Sequence, residues 1–468
     1  MINTMSTTIW LVTEERPKRD VVRTILHKFC VDSEIPCFID TIRILPLLND
    51  DHKFSFTYEV VGFKSKKISK MYIKTVSGQS SFVDYMLFCQ DSEPIPSDIP
   101  MYGIEETKTD DSESRNTGVF QRASKFVYLK FFYENTRMVM MYTLRIAQKK
   151  VPTQTNIFGT KCLLTIGVEI IGKTLDSSIH RPFHSIDELI NFKNSMRLPP
   201  QGNVPILIHK FSDRIEVSGR LVKQDSLSHD PNIGALSLIC AALRKLGWNK
   251  RLVLTHHGLE QKHIKGSNKF VQIASKLDIT FGGLNRVVPE IKDTYWYYEK
   301  EGEKLGTIFI HLVVENFTSG TAIFENHAGC EKGYFITRNG DPIPLEKYRD
   351  REKYKAGDKD QIVHIPDLIL IDLDRSEIIN IEGKKYIFRQ QGIDELKDYD
   401  AIEESYITPN YPRFSIIRTV VLYGGTEEKI VEIEVGFLLN VHGKLVLGIK
   451  APDLFKRAIN NLIDYWNS

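Results

Sequence analysis

The chain has 468 residues, of which 42% are hydrophobic and 26% charged, and its formal net charge of +2 neither demands nor excludes a polyanionic partner. This length exceeds what one hydrophobic core usually supports, so we expect two or three domains. The six cysteines lack the paired CxxC spacing of a zinc site, and no apolar run approaches the roughly 20 residues of a membrane span. The N-terminus also lacks the pattern of a secretory signal. We therefore expect a cytoplasmic protein with reduced thiols.

The first 150 residues follow an α/β pattern. Strands are predicted at Phe54 to Val61 and Ile68 to Val76, and a helix from Val119 to about Tyr133. A further helix is predicted after Pro17 from apolar residues at helical spacing: Val21, Val22, Ile25, Leu26 and Phe29.

The middle of the chain holds one strongly delimited helix. Asp230 is placed to cap its start, Pro231 suits its first position, and Gly247 suits its end. One apolar face is predicted to pack inward: Leu236, Ile239, Cys240, Leu243 and Leu246.

Beyond residue 300 the pattern favours strands, and an amphipathic helix from Pro452 to Trp466 closes the chain. A turn at His442-Gly443 is expected to join the last two strands. The predicted strands are Thr307 to Val314, Leu368 to Leu373, Ile378 to Ile381, Phe414 to Leu422, Gly436 to Val441 and Lys444 to Ile449.

Two carboxylates and a lysine gather on the hairpin that starts at Pro366. Because side chains alternate along a strand, Glu382 and Lys384 share one face, and Asp367 on the preceding strand can lie beside Glu382. Two carboxylates can hold a hard cation such as Mg²⁺, and the lysine can stabilise charge or orient a water molecule. A solvated cross-strand pair is the alternative, but it leaves the charges at the ends of such apolar strands unexplained. The cluster therefore predicts metal-assisted phosphodiester hydrolysis.

The spacing of these residues resembles a known nuclease signature. Pro366-Asp367, followed 15 positions after the aspartate by Glu382-Gly383-Lys384, is similar to the PD-(D/E)XK motif of type II restriction endonucleases. The helix expected from Asp394 to Tyr406 and the strand from Arg418 to Tyr423 follow the same order as in that fold. The resemblance implies that Asp367, Glu382 and Lys384 are catalytic and that the two acids bind Mg²⁺.

A second, looser cluster lies near the N-terminus. Asp84 stands in an apolar strand-like stretch, and Glu106 and Lys108 share a face at the end of the next predicted strand. The alternative is an acidic edge strand that leads into a solvated loop over residues 110–115.

This second cluster also resembles the PD-(D/E)XK pattern, with Val83 in place of the proline. The resemblance implies that Asp84, Glu106 and Lys108 are catalytic and that Asp84 and Glu106 bind Mg²⁺. Gln121 on the following helix is weakly similar to a glutamine that some of these nucleases place beside the site.

A basic stretch runs between residues 244 and 269. Such a stretch can contact phosphates and make binding sensitive to salt, while nearby polar side chains read base edges. The alternative is a solvated helix end, where cations are favourable in any protein. The predicted DNA-binding residues are Arg244, Lys245, Lys250, Arg251, Lys262, Lys265 and Lys269.

The expected fold is α/β, with one or two mixed-sheet PD-(D/E)XK nuclease cores and a mainly helical DNA-recognition region that joins them if there are two. The predicted boundaries are 1–175 for a nuclease-like α/β domain, 176–300 for the recognition region and 301–468 for a PD-(D/E)XK nuclease domain.

The resemblance implies a Mg²⁺-dependent type II restriction endonuclease that cuts double-stranded DNA at a specific sequence, with a cognate DNA methyltransferase as its functional companion. Two working sites would let a monomer cut one strand per site, whereas a single site would call for a homodimer. A repair or mobile-element nuclease of the same superfamily, and a catalytically inactive DNA-binding protein, remain open alternatives.

Overall fold

The computed structural model describes most of the chain, and the described residues fall into two compact units. Unit 1 comprises Met1–Ile9, Glu14–Thr75 and Tyr298–Ser468, and unit 2 comprises Trp10–Thr13 and Val76–Tyr297. Both units combine strands with helices, so the predicted α/β class is confirmed. The described residues are 7–48, 54–78, 82–107, 118–143, 153–196, 206–220, 231–257, 259–290, 292–298, 303–326, 333–423, 437–439, 445–447 and 451–468.

The two units do not follow the boundaries predicted after residues 175 and 300. In unit 1, the early segment and the C-terminal segment are joined by polar contacts. The Arg16 guanidinium lies 2.8 Å from the Glu315 carboxylate and 2.7 Å from that of Glu325. The Asn316 amide donates to the Ile44 carbonyl at 3.1 Å. Boundaries read along the chain cannot anticipate such long-range packing.

The N-terminal elements confirm the predicted helix and both predicted strands. Helix α1 buries the apolar face that begins at Val21, and β3, β4 and β6 pair antiparallel in that order. The elements are β1 (Thr7–Thr13), α1 (Arg19–Asp32), β2 (Cys37–Phe38), β3 (Arg43–Leu48), β4 (Phe54–Val61), β5 (Lys64–Ser65) and β6 (Ile68–Gly78).

Unit 2 contains two groups of paired strands. In the first, β7 and β8 are antiparallel, whereas β8, β9 and β10 are parallel neighbours. The second is a four-stranded sheet, β11-β12-β13-β14. The strands are β7 (Tyr85–Cys89), β8 (Tyr102–Thr107), β9 (Arg137–Tyr142), β10 (Val168–Ile171), β11 (Leu207–Lys210), β12 (Arg214–Arg220), β13 (Arg251–His257), β14 (Ile279–Phe281) and, at the unit boundary, β15 (Trp296–Tyr298).

The described part of the predicted recognition region has more residues in α-helices than in strands, but it also contains the four-stranded β11–β14 sheet, which was not predicted. The helix predicted from Val119 is confirmed as α2, and the one expected at Pro231 as α5. Asp230, its expected cap, lies outside the described residues. The helices of unit 2 are α2 (Gly118–Phe132), α3 (Gln154–Thr165), α4 (Ile186–Ser195), α5 (Pro231–Lys245) and α6 (Lys269–Lys276), with a short 3₁₀ helix at Gln261–His263.

The C-terminal part of unit 1 is built on the sheet β16-β19-β20-β21. Strand β19 is antiparallel to β16 and β20, and β20 is parallel to β21. The strands are β16 (Thr321–Glu325), β17 (Tyr334–Ile336), β18 (Pro342–Pro344), β19 (Leu368–Asp372), β20 (Glu377–Lys385), β21 (Ser415–Tyr423), β22 (Phe437–Leu439) and β23 (Leu445–Leu447).

Helices flank this sheet, and α7 and α12 share its apolar core. The predicted turn at His442-Gly443 lies outside the described residues, while β22 and β23 on either side of it pair antiparallel. The helices are α7 (Glu303–Phe317), α8 (Arg351–Lys355), α9 (Arg389–Glu395), α10 (Asp400–Ile402), α11 (Thr408–Asn410) and α12 (Asp453–Asn467), with 3₁₀ helices at Lys359–Gln361, Tyr386–Phe388 and Leu396–Asp398 and a π-helix at Glu403–Ile407.

Two predictions of local structure in this part were wrong. The strand predicted from Thr307 to Val314 is part of helix α7, which buries Ile308, Ile310 and Leu312. An apolar run without periodicity fits a buried strand and a buried helix equally well, so sequence alone could not decide. The single helix expected from Asp394 to Tyr406 is instead a series of short helical turns. Within the described ranges, no helix is both long and apolar enough to cross a membrane.

We predict that Gly247→Ala destabilises the protein by about 1 kcal/mol, because Gly247 has a φ of +92° that side chains disfavour. An added Cβ would meet no atom within 4 Å, so the loss would come from the backbone alone. Gly247→Asn is the matched control, since asparagine tolerates this conformation better. Urea denaturation measures both variants, and an alanine variant as stable as wild type would contradict the prediction.

Candidate active sites

The register between β19 and β20 determines which side chains come together in the C-terminal cluster. Leu368 pairs with Ile381, so the pairing leads to Asp367, just before β19, and to Glu382. The apolar residues of both strands are fully buried, which fixes the backbone that carries these charges.

The three residues predicted for this site are close together. The main-chain N–H of Gly383 donates to Asp367 Oδ2 at 2.9 Å. Lys384 Nζ lies 2.8 Å from Glu382 Oε1, as expected for side chains two apart on a strand. Glu382 is only 6% exposed, so its charge depends on these few neighbours.

Two further residues complete the cluster, and sequence reasoning missed both. The Tyr399 hydroxyl donates to Glu382 Oε2, and the Glu395 carboxylate lies 2.9 Å from Lys384 Nζ. Both residues fall in the segment predicted as a helix after the motif, but its broken helical turns gave no sign of which side chains face the sheet.

Arg418 on β21 holds that helical segment against the sheet. Its guanidinium donates to the Glu403 carboxylate and to the Leu396 carbonyl, each at 2.7 Å. The Asn380 amide also donates to Glu403 at 2.7 Å. The segment that carries Glu395 and Tyr399 is therefore tied to two strands.

The electrostatics of this site indicate an excess of negative charge. Burial, together with the nearby charge of Asp367, raises the pKa of Glu382 to about 8. Burial lowers the pKa of Lys384, but the hydrogen bonds of its ammonium to Glu382 and Glu395 and the charges of those two carboxylates have the larger effect. The pKa of Lys384 is therefore raised overall. Burial and the charge of Glu382 raise the pKa of Tyr399, which keeps its hydroxyl protonated as a donor. A bound cation would stabilise the ionised form of Glu382.

The N-terminal cluster is assembled differently from its prediction. Tyr85 pairs with Ile104, so the pairing leads to Asp84 and Glu105. Lys125 Nζ on α2 lies 3.4 Å from Asp84 Oδ1 and 2.9 Å from Glu105 Oε1. These two carboxylates therefore share the ammonium of a lysine on the following helix.

Glu106 contributes its main chain to this cluster. Its N–H donates to Asp84 Oδ2 at 2.6 Å, while its carboxylate accepts a hydrogen bond from the Thr143 hydroxyl at 2.8 Å. Successive strand residues face opposite ways, so the register that brings Glu105 to Asp84 turns Glu106 to the other face. Lys108 and the side chain of Gln121 lie outside what the structure describes.

The two clusters share one arrangement of elements. Each cluster lies on an antiparallel pair of strands. A helical segment comes next in the chain, and then a strand that runs parallel to the second strand of the pair. These elements are β7-β8-α2-β9 in unit 2 and β19-β20-α9-β21 in unit 1. In each, an aspartate before the first strand accepts a main-chain N–H from the second strand. Glu105 thus occupies the place of Glu382.

The basic stretch is only partly available to bind DNA. Arg244 donates to the carbonyls of Trp248, Lys250 and Leu277. Its guanidinium is therefore used in hydrogen bonds to the backbone that follows α5 and α6. Lys269 is 8% exposed. The exposed cations are Lys245, Lys250, Arg251, Lys262 and Lys265.

Each cluster offers two carboxylates to a cation. Among the described residues, no group of three or more His, Cys, Asp or Glu side chains could hold a metal. Mg²⁺ commonly binds through one or two carboxylates and keeps several waters, so the smaller donor set fits it. Burial and the charge of Asp367 raise the pKa of Glu382, and a bound cation would oppose both effects.

Comparisons of the chain with protein-family models, with curated proteins and with solved structures find no match.

We predict that the stability of Glu382→Gln relative to wild type rises with pH. A raised folded-state pKa gives a stabilising contribution that is present below the unfolded pKa and lost as pH rises towards about 8. Glutamine cannot ionise, so the free energy of unfolding of the variant minus that of wild type should increase by at least about 1 kcal/mol between about pH 5 and pH 8.

Urea denaturation in the absence of divalent cations measures this difference. Glu404→Gln, at an exposed glutamate on the same helical segment, is the control and should show little change with pH. If the free energy of unfolding of Glu382→Gln minus that of wild type falls as pH rises, burial does not raise the pKa of this carboxylate and the prediction is contradicted.

Proposed function

We propose that this chain is a Mg²⁺-dependent DNA endonuclease of the PD-(D/E)XK type, acting on double-stranded DNA as type II restriction enzymes do. The observation that carries the proposal is the pairing of Asp367 with Glu382 at the end of β19 and β20, with Lys384 ion-paired to Glu382. The spacing of these three residues in the sequence and their proximity in the structure both support the proposal.

Asp367 and Glu382 would hold the Mg²⁺. When bound, the cation supplies Lewis-acid polarisation of the phosphate and a more acidic bound water. The Gly383 N–H fixes the Asp367 carboxylate, and Tyr399 fixes Glu382.

Lys384 is the positive group that the chain itself presents to a phosphate. Its pKa is raised above the ordinary lysine value, so the ammonium stays charged and can stabilise negative charge on phosphate oxygens. Glu395 orients this ammonium from α9. Gly392 permits the close approach of α9, since an added Cβ would lie 2.7 Å from Lys384 Cγ.

The intact acids and lysine argue against the alternative of an inactive DNA-binding protein. A repair or mobile-element nuclease would use the same chemistry and differ in its target. A cognate methyltransferase as companion follows from the restriction hypothesis alone. Double-strand cleavage would need one monomer if both clusters work and a homodimer if one does.

We predict that Asp367→Asn and Lys384→Ala each reduce cleavage at this site by at least about 100-fold, because each removes a group that acts on the phosphate or its cation. Supercoiled plasmid of mixed sequence with Mg²⁺ is the substrate, and excess chelator should stop the reaction. Discrete fragments would support a restriction enzyme, and a smear would support a non-specific nuclease.

The matched controls are Asp394→Asn, at an exposed aspartate on α9, and Lys385→Ala, at the next lysine of β20 on the opposite face. Both should cut at close to the wild-type rate. Asp367→Asn should still bind DNA, since it removes a negative charge near the phosphate. Wild-type cleavage by both site variants would remove this hairpin from the mechanism.

We also predict that reversing the charge of exposed lysines weakens DNA binding and flattens its salt dependence. Lys262→Glu with Lys265→Glu should lower the slope of log affinity against log salt by about 1 for each phosphate that the variant no longer neutralises. Binding isotherms at several salt concentrations measure the slope, and an unchanged slope would assign these lysines to ordinary surface.

A further inference from the structure

Helix α6 carries a buried cation beside the N-terminal cluster. Lys269 is 8% exposed, and its ammonium makes no hydrogen bond or ion pair with the residues that the structure describes. Burial and the charge of Lys125 lower its pKa to about 8, although the charge of Glu105 opposes them. Lys269 therefore lies within electrostatic range of the cluster formed by Asp84, Glu105 and Lys125.

A second unpaired donor lies on the same face of α6. Gln272 follows Lys269 by three positions and is also buried. Its carboxamide oxygen accepts from the Tyr128 hydroxyl at 2.7 Å, but its Nε2 has no hydrogen-bond partner among the described residues. A buried ammonium and a buried amide donor without acceptors are costly, and an anion with several oxygens would satisfy them.

The charges of this cluster are suited to a phosphodiester and a cation together. Lys125 already balances Asp84 and Glu105, and a divalent cation on those carboxylates would release the lysine. Lys125 and Lys269 would then both be available to phosphate oxygens. In unit 1, Lys384 comes two residues after Glu382 on the same strand. The residue two positions after Glu105 is Thr107, so the lysine of this cluster comes from α2 and not from β8.

We propose that unit 2 contains a second phosphodiester-hydrolysing site, in which Asp84 and Glu105 hold a divalent cation and Lys125 and Lys269 bind the phosphate. This rests on the proposed nuclease function and replaces the assignment of Glu106 and Lys108. A water oxygen bonds to phosphorus, the bond from phosphorus to one sugar oxygen breaks, and that oxygen leaves with a proton from the water. No electron transfer is involved.

Plasmid cleavage by the full chain tests the residues. Wild type should linearise a target plasmid, whereas Glu105→Gln and Lys125→Ala should only nick it, with linearisation reduced by at least about 100-fold. Glu106→Gln separates the two assignments, because it should lose far less activity than Glu105→Gln. Glu134→Gln, at an exposed turn of the same unit, is the neutral control. Linearisation at the wild-type rate by Glu105→Gln would overturn the proposal.

The variant Lys269→Met tests whether Lys269 binds the phosphate or only stabilises the fold. Removing a buried ammonium without a partner should leave the melting temperature unchanged or higher, while cleavage falls from linearisation to nicking. A destabilised Lys269→Met that still linearises DNA would show that the lysine is structural and would overturn its role.

Cation binding tests the site without relying on activity. Titration of Mn²⁺ into the full chain, followed by electron paramagnetic resonance, should count two sites in wild type, one in Glu105→Gln and one in Asp367→Asn. Two sites retained in Glu105→Gln would overturn the second site even if the first is sound. If wild type cleaves no DNA, the proposed function fails, and the Mn²⁺ count still decides whether unit 2 binds a cation at Glu105.

Discussion

A single hydrogen bond fixes the geometry of both clusters: a main-chain N–H of one strand donates to an aspartate that precedes the neighbouring strand. The distances are 2.9 Å from Gly383 to Asp367 and 2.6 Å from Glu106 to Asp84. Because the donor belongs to the backbone, the aspartate is locked to the strand register and not to a movable side chain. The residue before the donor, Glu382 or Glu105, is then brought to that aspartate by the same pairing.

In each cluster a buried glutamate and a partly buried aspartate repel each other, and neighbouring groups offset that repulsion. In unit 1 the repulsion is offset by Lys384, which lies on β20 with Glu382, and by the hydroxyl of Tyr399. In unit 2 it is offset by Lys125 on α2. In unit 1 these groups compensate only in part, since the pKa of Glu382 is still raised to about 8 by burial and by the charge of Asp367.

Local rules predicted the parts of the molecule that depend on neighbours in the chain. Strand alternation placed Glu382 with Lys384, and end signals delimited α5 at Gly247. The choice between Glu105 and Glu106 depended on pairing with a strand some twenty residues away, and a slip of one residue reverses every side chain. Lys125 and Tyr399 come from helices whose facing depends on tertiary packing, and the same packing made the apolar run of α7 a helix.

The origin of the lysine gives the two clusters different tolerance of local unfolding. Lys384 belongs to a strand hydrogen-bonded on both sides, so it stays in place for as long as the sheet persists. Lys125 stays beside Asp84 and Glu105 only while α2 remains docked, and α2 is held by the packing of side chains such as Ala123, Phe126 and Leu129, which are fully buried. The charge balance of the carboxylates therefore depends on side-chain packing in unit 2, whereas in unit 1 it depends on the hydrogen bonds of the sheet.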